Sequence, residues 1–97
     1  MPTYVTLVHY TQQGVENMKE SPNRLDAAKE AAQSMGVEIR EFYLAMGQYD
    51  AVIIGEAPDD ETITSLAMAS ASLGNVRTET FRVFTEGEYR KIIATLP

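Results

Sequence analysis

Leu44-Ala45-Met46-Gly47-Gln48-Tyr49-Asp50-Ala51-Val52-Ile53-Ile54-Gly55 reads as the end of one strand, a tight turn and the whole of the next strand. Gly47-Gln48 fits a two-residue type II′ turn, which needs glycine at its first central position. With that loop, strand two spans Val37 to Met46 and strand three Tyr49 to Glu56. Met46 then stands opposite Tyr49, Leu44 opposite Ala51 and Phe42 opposite Ile53. Tyr43, Ala45, Asp50 and Val52 share the other face, and a slip of one residue would exchange the two sets. Strand three is apolar on both faces, with Ala51 and Ile53 on one and Val52 and Ile54 on the other.

Towards the N-terminus, residues 3–10 are rich in β-branched and aromatic types and read as strand one. Thr11 can cap a short helical turn over 12–19. Ser21 as N-cap and Pro22 at the first helical position then restart a helix over 22–35. Leu25, Ala28, Ala32 and Met35 recur at helical spacing, and Gly36 sits where a left-handed C-terminal cap is wanted. Towards the C-terminus, Pro58-Asp59-Asp60-Glu61 opens a second helix, whose inner stripe is Ile63, Leu66, Ala67, Ser70 and Leu73. Gly74-Asn75 ends it, and Val76 to Phe84 is strand four. Thr85 and Glu88 match a capping box, followed by the apolar stripe Tyr89, Ile92, Ile93, Leu96 of a short terminal helix.

The order β-α-β-β-α-β defines an α+β fold of the split βαβ, or ferredoxin-like, type: a four-stranded antiparallel sheet with helices on one face, plus the short C-terminal helix. The helices cover one face only. Strand three needs cover on both, and an exposed apolar face of this kind marks an interface. A second copy of the chain, in a closed two-fold dimer, is the simplest cover.

The bulk composition narrows the function. Ninety-seven residues predict one domain, 1–97, with a modest core. The absence of cysteine excludes disulfides and thiolate chemistry and suits a reducing compartment. No apolar run approaches the roughly 20 residues of a membrane span, and residues 1–10 lack the basic-then-apolar pattern of a secretory leader. The expected location is therefore cytoplasmic. A net charge of −6, with 14 acids against 8 bases, leaves no basic stripe for phosphates, so neither nucleic acid nor an anionic membrane is an expected partner.

Around Met46-Gly47-Gln48-Tyr49-Asp50 the chain resembles the GYD domain family, of the dimeric α/β barrel superfamily. Tyr10-Thr11-Gln12-Gln13-Gly14, Ser21-Pro22-Asn23-Arg24, Phe42-Tyr43, Glu56-Ala57-Pro58-Asp59-Asp60, Gly74-Asn75-Val76-Arg77-Thr78-Glu79-Thr80 and Phe84-Thr85 extend the resemblance over nearly the whole chain. It implies the same fold and a sheet-to-sheet dimer or higher oligomer, and it implies no reaction. Related barrel families include heme-degrading and cofactor-free oxygenases and isomerases, a relation of fold alone.

Candidate chemistry gathers at one end of the sheet. His9 is the only histidine, and an imidazole there could serve as general base or ligand. Tyr43, Tyr49 and Asp50 surround the turn. Asp50 could accept from a tyrosine or pair with Arg24 or Arg82, orienting a small ligand, although a clasp that fixes the turn is the favoured role. Arg24, in the first turn of its helix, offers an anion seat, although Ser21-Pro22-Asn23-Arg24 is better explained as a helix start. Arg77, Glu79 and Arg82 on strand four could bind an anion, but Arg77 and Glu79 share a face and better suit a solvated or intersubunit ion pair. With one histidine and no cysteine, neither a metal site nor a cofactor is expected. The resulting reading is a homo-oligomeric module that binds a small molecule or serves assembly, with a ligand site beside His9, Tyr43, Tyr49, Asp50 and Arg24. The alternative is a cofactor-free enzyme using His9 or Tyr43/Asp50 as acid and base.

Overall fold

The computed structural model describes residues 1–97. Strands β1 (Thr3–Tyr10), β2 (Glu38–Leu44), β3 (Ala51–Glu56) and β4 (Val76–Val83) form one antiparallel sheet in the order β2-β3-β1-β4. Helices α1 (Gln12–Glu16), α2 (Ser21–Ser34), α3 (Asp60–Ser72) and α4 (Glu86–Ala94) complete the chain. This is the ferredoxin-like α+β arrangement expected from the order of elements. No helix is long and apolar enough to cross a membrane.

The β2–β3 register is the predicted one, Leu44 opposite Ala51 and Phe42 opposite Ile53. The hairpin itself is looser than a two-residue turn. The ladder stops at Leu44/Ala51, and residues 45–50 form the connection, closed by a single 2.9 Å bond from the Ala45 amide to the Asp50 carbonyl. The reason lies at Asp50, whose amide bonds the Val8 carbonyl of β1 (2.8 Å) instead of extending β2–β3. Gly47 keeps the positive φ that a turn glycine requires, at 102°. A bulge between Ile39 and Glu41 shifts the register further along, and Arg40 beside it binds the Glu56 carboxylate.

Helix ends also depart from the expected pattern at one point. A 3₁₀ turn (Met18–Glu20) runs directly into α2, so the chain is already helical at Glu20 and Ser21 is the first helical residue rather than a cap. At the other end, Gly36 at φ 77° closes a Schellman motif: Val37 N–H bonds the Ala32 carbonyl and Gly36 N–H that of Gln33. This places Ala32 and Val37, both buried, in the core. Asp59 caps α3 by accepting from the Thr62 amide at 2.8 Å, and Thr85 and Glu88 form the expected capping box on α4. Leu73 is exposed rather than part of the α3 stripe, because the helix ends at Ser72.

The core is small. Tyr4, Ala32, Val37, Ala57 and Ile63 form it, with Met35, Ile39 and Leu66 packed around them. Helices α2 and α3 lie on the sheet face that carries Tyr4 and Val8, α2 against β2 and α3 against β4. The Tyr4 hydroxyl donates to Asp60 at the start of α3. That bond, burial and the carboxylate charge push the phenol pKa up to about 12. By alternation, Val5, Leu7, Val52, Ile54, Phe81 and Val83 stand on the opposite face, none of them fully buried.

Candidate functional site

The open face is therefore an apolar patch edged by Glu41 and Glu56, with a denser polar cluster at the opposite end. That end is built where β1 finishes, β3 begins and β4 begins. Two turns are locked together beneath it. The Thr11 amide bonds the Asn75 carbonyl (3.0 Å), the Thr11 hydroxyl donates to the Gly74 carbonyl (2.6 Å), and the Gln13 amide group reaches the Leu73 carbonyl (3.0 Å). Gly14 packs so closely on Asn75 that a β-carbon would overlap its carbonyl oxygen.

On this base the structure gathers three of the five predicted site residues. The His9 ring lies against Tyr49 with centroids 4.7 Å apart and planes tilted by 46°. The Tyr49 hydroxyl crosses to β4 and donates to Glu79 at 2.7 Å, which holds the phenol proton more firmly and raises the tyrosine pKa. Asp50 accepts from the Tyr10 amide at 2.9 Å. Its carboxylate is thereby a clasp across β1 and β3, and it pairs with neither Arg24 nor Arg82.

The other two predicted residues lie elsewhere. Tyr43 stands on β2 and turns its hydroxyl along its own strand to Glu41, at 3.3 Å. Arg24 lies on the helical side, where its guanidinium donates to the carbonyls of Asn17 (2.7 Å) and Gly14 (3.3 Å) and so satisfies the end of α1. Arg82 pairs with Glu88 (3.6 Å) and sits over the Phe84 ring.

Within the chain the partner of Glu79 is Tyr49, and no ion pair joins it to Arg77. A tight turn between β2 and β3 would keep Tyr49 beside Met46, so a sequence reading built on that turn misses Glu79 as an acceptor. Once Asp50 bonds to β1, Tyr49 is free to lean over β1 towards β4.

No group of three His, Cys, Asp or Glu side chains is placed to hold a metal ion. No buried side-chain polar atom lacks a hydrogen-bond partner. Two shallow grooves flank α3, one along its outer side (Asp60, Glu61, Thr64, Ser65, Met68) and one between it and β4 (Thr64, Ala67, Met68, Ala71, Arg77, Thr78, Thr80); none of the five candidates lines either.

The family model described as the GYD domain matches residues 4–93. The chain belongs to the GYD domain family. A Thermus thermophilus protein named "Glutamine synthetase and cystathionine beta-lyase binding protein" is 33% identical to this GYD chain over 81 residues, covering 82% of this chain and 85% of its own. The crystal structure of TTHA0845, also from Thermus thermophilus, is similar with a TM-score of 0.56 and 28% identity, over 88% of this chain and 95% of that one. Within the matched residues, Tyr49 bridges His9 to Glu79 and Asp50 clasps β1.

Proposed function

We propose that this GYD chain is a non-catalytic binding module that pairs with a second copy through its open sheet face and, as a pair, docks on a partner protein. The observation that carries the reading is the apolar field of Val5, Leu7, Val52, Ile54 and Phe81, which no helix of the chain covers. The accessible surface is 6689 Å², whereas a compact monomer of 10.8 kDa exposes roughly 5,500 Å². The surplus, about 1,200 Å², is on the scale of the ~800 Å² per partner of a standard interface.

The polar end supports binding over catalysis. His9, Tyr49, Glu79 and Asp50 engage one another or the backbone, an arrangement that orders a surface. General acid–base chemistry needs such groups to converge on a substrate proton instead. The Thermus relative is named for binding two enzymes, which favours a protein partner.

The test combines two measurements. Leu7→Lys and Val52→Lys place charge in the field and should give folded monomers, judged by an unchanged far-ultraviolet spectrum. Sedimentation velocity of the unmodified chain with glutamine synthetase or cystathionine β-lyase should show a co-migrating boundary that the Lys variants lose. Lys variants that remain paired, or turnover of a substrate abolished by His9→Ala, would contradict the reading.

A further inference from the structure

We infer that α4 is an intermolecular arm whose apolar stripe packs against the second copy of the chain. This inference rests on the pairing proposed above and adds a second contact to it. Tyr89, Ile92 and Ile93 recur at i, i+3 and i+4, so they form one face of the helix, and Leu96 follows just beyond its end at Ala94. Each is between 45% and 63% exposed, and α4 has no extensive contact with any other element of its own chain.

A nine-residue helix does not hold itself in water, where isolated helices shorter than about 12–15 residues are marginal. Its start is nevertheless fixed. The Thr85–Glu88 capping box closes its first turn, and Glu88 pairs with Arg82 on β4. The helix is thus tethered at the end of an edge strand with its apolar face unpartnered. The shape follows: the chain extends 53 Å along its longest axis, and its radius of gyration is 14.8 Å, against about 12.5 Å for a compact chain of this length.

Area identifies the occupant. Four strands of this length make a sheet face of roughly 450 Å², which falls short of the ~800 Å² each partner contributes to a standard stable interface. One α4 face, about 13 Å long and 10 Å wide, adds roughly 130 Å² where it docks. In a two-fold dimer every chain both gives and receives an arm, so the gain per chain is doubled. Sheet and arm together then come closer to the size of a standard interface than the sheet alone.

The experiment reads the arm and the sheet separately. Amide hydrogen exchange of the full chain should show residues 89–94 protected at concentrations where it is paired. The same amides should lose that protection in the monomeric Val52→Lys variant while the β1 and β3 amides keep theirs. Ile92→Ser/Ile93→Ser should raise the dimer dissociation constant about tenfold or more, with the core amides unaffected. A paired chain whose α4 amides exchange freely, or an α4 equally protected in the monomer, would overturn the arm and leave the sheet pairing standing. An unmodified chain that is monomeric would overturn both.

Discussion

A β-carbon on Gly14 would meet the Asn75 carbonyl oxygen inside van der Waals distance, whereas one on Gly47 would meet nothing. The two glycines therefore predict different costs. Gly14→Ala must push apart two hydrogen-bonded turns and should cost about 1–3 kcal/mol, as overpacking does. Gly47→Ala meets only the strain of a positive φ and should cost about 1 kcal/mol. Urea unfolding of the two variants checks both, and equal midpoints would mean that the Thr11–Asn75 lock is not tight. Tyr4 gives a spectroscopic prediction. Its hydroxyl donates to Asp60 from a buried position, so an absorbance titration of the folded chain should show one phenol that titrates late, with its pKa up at about 12. Tyr4, His9 and Asp50 are legible in the sequence as strand or turn residues. Glu79 as the acceptor for Tyr49 is not, because that bond spans 30 residues and depends on how the 45–50 connection leans.

Local chemistry makes most of the elements legible. Gly36, the Asp59 cap and the Thr85/Glu88 box each use only a few neighbouring residues, and all three stand where their residue types require. The β2–β3 register is readable from the turn glycine: a loop centred on Gly47-Gln48 sets Leu44 opposite Ala51 and Phe42 opposite Ile53, as observed. Local pattern does not reveal the choices made through distant contacts. Asp50 bonds to β1 and opens the turn, and a 3₁₀ segment takes over the cap that Ser21 would have supplied. The α3 cap carries a pH prediction. Thr62, through its hydroxyl and then its amide, holds the Asp59 carboxyl below the usual carboxylate range in the folded chain. A lowered folded pKa means stability that is fully present above the unfolded value, near pH ~4, and is lost as pH falls through the folded one. Asp59→Ala should thus lower the urea midpoint at neutral pH, and the gap from the unmodified chain should narrow as the pH drops below the unfolded value. A gap that stays constant with pH would remove the carboxylate from the cap.

At the scale of the molecule, a core of five buried residues has to support a sheet whose second face is also apolar. Small domains bury too little of their own surface to sustain such a field in water, and association is the usual remedy. The sheet face, the surplus of exposed area and the tethered α4 are the observations behind the proposed pairing of two chains. The polar end is ordered by the Tyr49–Glu79 hydrogen bond and the contact of Tyr49 with His9. Sedimentation equilibrium of the unmodified chain at micromolar concentration tests this most directly. Pairing gives a mass of at least twice 10.8 kDa, reverting to the single-chain mass in the Val52→Lys variant; an unmodified chain that sediments at 10.8 kDa would rule pairing out.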